Sequence, residues 1–333
     1  MLELIQKYLE ENKMLYQYLE NSISSPQLFC LVAVLGFVVA YLLLARKFNF
    51  LPRDHGRDFA VNGAQSRGKI RGVGVIMIPV FSVVVLVFCP ISIESIIYIV
   101  LINCVMLSGY LDDASDIPWQ DYKKGAIDLV IAIITMIIFL RENGTQVYFF
   151  GLSFNIPVVL YFILGIILIW TAINVTNCSD GIDGLCASVS FVTIASFAIL
   201  FRGNLGEYAD YTCVLLGVIA AYLCFNTKPS SMLMGDAGSR ALGYAIALLA
   251  MKSQHPFSYI ILSLVLIIDG GLGLIKVSVI RFLHRKSFMK NIRTPIHDQL
   301  RSEEGRSWSD TQVVVRFALI QALISTVLGI FLV

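Results

Sequence analysis

Charge is what this sequence has least of. Asp, Glu, Lys and Arg make up only 14% of the 333 residues, against 57% hydrophobic, and the mean hydropathy is +0.77. Soluble domains carry roughly a quarter of their residues as charges, so this ratio excludes a water-soluble globular fold and a disordered chain alike. A formal net charge of +2 offers no basic field for a nucleic acid, and none is expected as a partner. Paired cysteines are also missing. Cys30, Cys89, Cys104, Cys178, Cys186, Cys213 and Cys224 form no CxxC pair and sit mostly inside apolar runs. They read as small hydrophobes rather than a disulfide framework or a thiolate metal site. The flank of a cleavable signal peptide is absent too, since Glu3, Glu10, Glu11 and Glu20 outweigh Lys7 and Lys13 near the start.

What is present is apolar stretch after apolar stretch. Ten are readable, near residues 27–45, 73–89, 93–110, 125–141, 156–174, 185–201, 211–226, 237–252, 257–276 and 313–333. A membrane span takes about 20 apolar residues, so the expected fold is all-α and polytopic, with ten transmembrane helices. Residues 3–21 read as a surface helix before the first span, and residues 25–333 as one transmembrane core. Lys and Arg are distributed unevenly between the loops: 18 fall on one side, 5 on the other, and Arg240 and Arg316 lie at span starts. The positive-inside rule assigns the richer side to the cytoplasm and both termini to the outside.

The scarce carboxylates gather on that same side. Gly109-Tyr110-Leu111-Asp112-Asp113 closes the third stretch. Between the fifth and sixth comes Asn174-Val175-Thr176-Asn177-Cys178-Ser179-Asp180-Gly181-Ile182-Asp183-Gly184. Asn226 ends the seventh, and Met234-Gly235-Asp236-Ala237-Gly238-Ser239 opens the eighth. Pro295-Ile296-His297 stands in the last basic loop. Each has an ordinary structural reading beside a functional one: Asp236 as a helix N-cap, the Asp-Gly pairs as turns, Asp112 and Asp113 as a solvated span end, His297 as a loop histidine. Five carboxylates at the ends of different spans, in a chain with so few charges, favour function.

Carboxylates beside amides are hard oxygen ligands suited to Mg²⁺, with Mn²⁺ as the alternative. Such a cation neutralises charge on a leaving phosphate. Arg67, Lys69, Arg71, Lys123 and Lys124 supply cations for an anionic substrate, and Gly68, Gly72 and Gly74 allow backbone N–H groups close to phosphate, or else mark a glycine-rich helix entrance. The residues point to metal-assisted phosphoryl transfer at a membrane boundary. Asp112-Asp113-x-x-Asp116 also has the spacing of an aspartate-rich diphosphate motif of the kind prenyltransferases use, but no good second copy follows it. A transporter is the non-enzyme alternative, and it calls for midplane charges and repeat symmetry that the pattern lacks.

Taken in order, Gly-Tyr-Leu-Asp-Asp, Asn-x-x-Asn-x-x-Asp-Gly-Ile-Asp-Gly and Met-Gly-Asp-Ala-Gly-Ser resemble the polyprenyl-phosphate N-acetylhexosamine-1-phosphate transferases. The Pro-Ile-His segment resembles the branch of phospho-N-acetylmuramoyl-pentapeptide transferases in peptidoglycan synthesis. The resemblance implies a multi-pass protein of the bacterial plasma membrane, with its active site on the cytoplasmic side and a homodimeric assembly. It implies Mg²⁺ and two substrates, UDP-MurNAc-pentapeptide and undecaprenyl phosphate, giving lipid I and UMP. By motif position Asp112 matches a base or organiser for the lipid phosphate, with Asp113 beside it. Asp236 matches the metal ligand. Asn177, Asp180, Gly181 and Asp183 match the nucleoside and diphosphate segment, Asn226 a uridine-pocket amide, and His297 the first histidine of a catalytic histidine motif. Lys69, Arg71 and Lys124 are the accompanying substrate-binding cations.

The chain departs from the pattern in places. Where the branch has Pro-Ile-His-His-His-Phe-Glu, this chain has Pro295-Ile296-His297-Asp298-Gln299-Leu300-Arg301. Lys69-Ile70-Arg71-Gly72-Val73-Gly74 replaces a Thr-Pro-Thr-Met-Gly-Gly segment, and Leu233 stands where an aromatic usually precedes Met-Gly-Asp. Transfer of GlcNAc-1-phosphate is the neighbouring alternative. Asp269, next to Gly270, Gly271 and Gly273, interrupts the ninth stretch and marks a bend or a close helix contact. The residues leave open whether it faces substrate or pairs internally.

Overall fold

A single small-residue helix organises the bundle. Helix α9 (Gly235–Lys252) is buried along its whole length from Gly235 to Met251. Its glycines and alanines let neighbours approach at backbone distance, the packing mode of membrane helices. The computed structural model describes residues 2–22, 24–46, 48–56, 61, 63–115, 117, 119–285 and 287–332. Around α9 stand α3 (Gly74–Phe88), α4 (Ile93–Asp113), α6 (Val158–Cys178) and α7 (Leu185–Leu200). Outside them lie α2 (Ser25–Leu44), which packs on α8 (Tyr208–Asn226), and α5 (Asp121–Asn143), which packs on α4 and α6. Short helix α12 (Ile296–Arg301) precedes α13 (Asp310–Gly329), which closes the bundle against α7.

Each expected apolar stretch contains helix. Among the described residues, five helices are long and apolar enough to cross a membrane: α2, α4, α6, α8 and α13. Helices α3 and α7 are apolar but shorter. The ninth stretch differs most from its expectation. It is α10 (Ser258–Leu262), a turn at Leu264–Leu266, a π-helical turn at Ile267–Gly271, then α11 (Leu272–Phe282). Ser263 leaves helical geometry at φ −120°, and Gln321 of α13 accepts the Val265 N–H at 2.9 Å in place of a helical carbonyl. Gly270 lets the π turn press on α6, where a methyl on it would lie 2.1 Å from the Val175 carbonyl oxygen.

Helix α1 (Leu2–Ser22) matches the surface helix expected at 3–21 and lies across the far end of α3, where Asn12 donates to the Cys89 carbonyl at 3.0 Å. A hairpin, β1 (Gln146–Phe149) with β2 (Leu152–Asn155), was not anticipated. Its two-residue turn, Phe150-Gly151, has both φ values positive at 49° and 73°, which suits a tight hairpin. All seven cysteines are free.

Close contacts at one end of the bundle set the site. A methyl built on Gly109 of α4 would sit 2.4 Å from the backbone of Asp236, and one on Gly74 of α3 would sit 2.2 Å from the Gly238 nitrogen. Backbone cannot yield as a flexible side chain can. Gly109→Ala is therefore expected to force α4 from α9 and to destabilise the fold by about 1–3 kcal/mol, seen as a lower melting temperature in detergent.

Candidate active site

The site is assembled where the C-terminal ends of α4, α6 and α8 meet the N-terminal ends of α3, α5, α7 and α9. Its first part is an extended segment. Ile70 bridges Arg53 on one side and Met232 on the other. The Arg71 amide donates to the Pro52 carbonyl at 2.9 Å, and the Leu233 amide donates to the Ile70 carbonyl at 2.8 Å. Extended backbone sends alternate side chains the same way, so Lys69 and Arg71 both line the neighbouring cleft.

Arg71 gathers three carboxylates. Its Nε lies 2.7 Å from Asp113 Oδ1, its Nη1 3.1 Å from Asp54 Oδ1, and its Nη2 3.2 Å from Asp236 Oδ1. Lys124 gathers two: its Nζ is 2.8 Å from Asp112 Oδ2 and 3.2 Å from Asp236 Oδ2. Asp236 thus bridges the two cations, and Asn177 donates to its Oδ2 at 3.3 Å. The Trp119 amide donates to Asp112 Oδ1 at 2.7 Å, and the Ala237 amide to Asp113 Oδ2 at 3.2 Å. The Asp113 side chain is inaccessible at 0% exposure, so Arg71 and Lys124, with Asp112 and Asp236 at 8% and 9%, are the members of the network with surface to offer a ligand.

Electrostatics follow from this crowding. Burial works to lower the Arg71 guanidinium, but Asp113, Asp236 and Asp54 outweigh it and raise it above its already high ordinary value. Burial works to raise Asp54, but the Ser66 hydroxyl, Arg71 and the Gly56 amide hold its carboxyl below the usual range.

Two openings reach this network from different sides. A polar cleft of about 670 Å³, open to solvent, is lined by Lys69, Arg71, Asp180, Gly181, Asp183 and Asn226 among others. A larger groove of about 1780 Å³ runs between α5, α6 and α11, mostly over Leu129, Ile166, Ile167, Trp170, Leu274 and Val277. Lys124 and Asn177 line the groove and not the cleft; Arg71 lines the cleft and not the groove. Asp236 stands between those cations.

The remaining candidates except His297 fall on the cleft side. Lys69 pairs with Asp183 at 2.8 Å and donates to Ser230 Oγ at 2.7 Å. Asn226 is a clamp: its Oδ1 accepts the Gly184 amide at 2.8 Å, and its Nδ2 donates to the Met232 carbonyl at 2.8 Å. His297 does not join the network. It is 1% exposed, pairs with Asp269 at 2.8 Å and does not line the cleft. Asp269, left open by the sequence, therefore pairs internally. Asp116 lies outside the described residues.

Three groups escaped the sequence reading. Asp54 and Ser230 sit in loops whose partners are distant in the chain. Asp128 and Arg240 form an ion pair at 0% and 1% side-chain exposure, beneath the site. Opposite charges embedded in two apolar stretches were their available signal.

The donors suit a divalent cation. Among the described residues, four carboxylates, Asp54, Asp112, Asp113 and Asp236, pair with the two cations Arg71 and Lys124 and gather hard oxygen ligands at one place. Among the described residues no three His, Cys, Asp or Glu side chains make a ready metal cage. Mg²⁺ needs none, since it commonly takes one or two carboxylates and completes its shell with water and substrate phosphate.

Comparison with known proteins agrees with this architecture. The model for glycosyl transferase family 4 matches residues 95–254, which include Asp112, Asp113, Asn177 and Asp236. A phospho-N-acetylmuramoyl-pentapeptide-transferase of Treponema pallidum (strain Nichols) is 35% identical over 312 residues, covering 87% of this chain and 85% of the relative. Proteins of the same name from Bacillus pumilus (strain SAFR-032) and Bacillus subtilis (strain 168) are 29% and 28% identical, each covering 92% of this chain and 98% of the relative. With apolar helices throughout and these relatives over most of its length, the chain is a bacterial membrane protein of the phospho-N-acetylmuramoyl-pentapeptide transferase family.

Proposed function

We propose that the chain transfers phospho-MurNAc-pentapeptide from UDP-MurNAc-pentapeptide to undecaprenyl phosphate, giving lipid I and UMP in the first membrane step of peptidoglycan synthesis. The observation that carries the reading is Asp236 bridging Arg71, which faces a polar cleft, and Lys124, which faces an apolar groove. The first opening is polar and carries cations, which suits a nucleotide diphosphate, and the second is lined mostly by apolar side chains, which suits a polyprenyl chain. A reaction joining a water-soluble donor to a lipid acceptor needs both.

Lys124 would hold the lipid phosphate at the head of the groove, with Asp112 beside it to orient the attacking oxygen. A phosphate monoester is already largely ionised near neutral pH, so Asp112 has little deprotonation left to do. Lys69 and Arg71 would hold the diphosphate, with Asp180, Asp183 and Asn226 shaping the nucleoside end. The lipid phosphate oxygen bonds to the β-phosphorus while the bond from that phosphorus to the bridging oxygen breaks, and UMP leaves with that oxygen. Positioning and charge neutralisation supply most of the gain. Asp236, with Asp113 behind it, would hold Mg²⁺ (or Mn²⁺), whose charge offsets that building up on the leaving phosphate.

The reading places the site at the cytoplasmic surface, with ten crossings, both ends of the chain outside and two copies in the assembly. The 18-to-5 loop bias in Lys and Arg supports that orientation. The test is UMP release by purified protein with undecaprenyl phosphate and Mg²⁺. Turnover of UDP-MurNAc-pentapeptide is expected, together with its loss in EDTA and recovery on adding Mg²⁺. Turnover of UDP-GlcNAc alone would replace the substrate assignment.

A further inference from the structure

Asp269 and His297 are buried beside the site but have no part in the proposed transfer. Each is 1% exposed. The Asp269 carboxylate meets His297 at three points. The His297 backbone N–H donates to Oδ1 at 2.8 Å, while ring Nδ1 lies 3.0 Å from Oδ1 and 2.8 Å from Oδ2. An ionised carboxylate only accepts, so the ring carries its proton on Nδ1. Nε2 points the other way. Asp298 Oδ1 is 4.0 Å from it, beyond hydrogen-bond reach. Gly181 packs against the ring: a methyl built on Gly181 would lie 2.2 Å from Nε2. The imidazole is wedged between Asp269 and the loop that carries Asp180 and Asp183 into the cleft. Asp269 is carried by the π-helical turn, and such irregular turns recur at functional sites.

We propose that Asp269 is a positioning residue which, through His297, sets the Asp180–Asp183 loop at the nucleotide end of the cleft. Neither side chain exchanges a proton with substrate. His297 is then a support for the loop instead of the catalytic group its motif position implies. The inference rests on the transferase reading.

The decisive variant is Asp269→Asn. Its amide keeps one oxygen, at the Oδ1 position, but puts an N–H where Oδ2 stood, so the ring loses its 2.8 Å acceptor and the negative charge that held Nδ1–H. The chain has only four histidines, so ¹⁵N spectra of labelled protein can read the ring. Wild type should show protonated Nδ1, and the variant a shifted Nδ1 signal as the charge-assisted contact is lost. The loss of a charge-assisted contact should raise the KM for the UDP-sugar on the order of 10- to 100-fold. The kcat should stay within about threefold of wild type, as expected when binding and not the chemical step is lost. Gly181→Ala, which pushes the same ring from the other side with Asp269 intact, should raise KM likewise and keeps the test open should Asp269→Asn not fold. An unchanged KM in both variants, a fall in kcat at constant KM, or an unchanged Nδ1 signal overturns the proposal. If wild type itself releases no UMP, the transferase reading fails instead. UMP affinity of wild type and Asp269→Asn, measured by calorimetry, then judges the positioning role alone.

Discussion

Asp236→Asn is expected to reduce UMP release on the order of 10²- to 10³-fold, the loss typical when a preorganised charge-stabilising group is removed, while the protein stays folded. Both halves of that expectation come from the same network. Asp236 is the carboxylate that touches Arg71 and Lys124 together. An asparagine can accept from one of them through its oxygen, but its amide then faces the other cation as a second donor. The proposed Mg²⁺ site also loses a charge. Stability should change little, because Arg71 keeps Asp54 and Asp113, and Lys124 keeps Asp112. Parallel measurement of kcat and melting temperature separates the two. A variant that unfolds, or one that turns over normally, contradicts the assignment.

Arg240→Met is expected to do the opposite, costing about 3–5 kcal/mol of stability by leaving Asp128 charged, buried and unpaired. Helix α5 carries Lys124 and Asp128, and α9 carries Asp236 and Arg240, each pair one helical turn apart. The two helices are therefore joined by ion pairs of opposite polarity in adjacent layers, Lys124 with Asp236 above and Asp128 with Arg240 below. Asn174 of α6 adds a donor to Asp128 at 3.4 Å. Replacing both members, Asp128→Leu with Arg240→Met, removes the uncompensated charge and should recover most of the loss. Thermal unfolding of the two single variants and the double in detergent checks this. A double variant no more stable than Arg240→Met would show that the destabilisation has another origin.

Much of this arrangement was legible in the residues. The apolar stretches predict helices because nothing else satisfies backbone hydrogen bonds in lipid, and the carboxylates at their ends announce the site. Lys69, Arg71 and Lys124 were recognised as cations near it. What local pattern could not express is pairing. Nothing in the Lys124 neighbourhood says that Asp236 lies 112 positions away at hydrogen-bond distance. Asp54 looked like one loop residue among several because Arg71 gives it meaning only once Ile70 is bridged. Asp269 was visible as an irregularity among glycines, yet its partner is 28 residues further on. The hairpin was too short, and too close to its flanking apolar stretches, to stand out. Arg240 was visible as a charge at a span start and Asp128 as a charge inside an apolar stretch, but neither position says that the two meet.

The two openings that reach Arg71 and Lys124, on either side of Asp236, belong to different diffusion regimes. On the proposed reading the acceptor arrives by lateral travel in two dimensions and the donor by tumbling in three, and neither crosses the other's route. Lipid I can leave sideways while UMP leaves into water. Exchange of one product then need not wait for the other, and no lid is required to keep the two traffic streams apart.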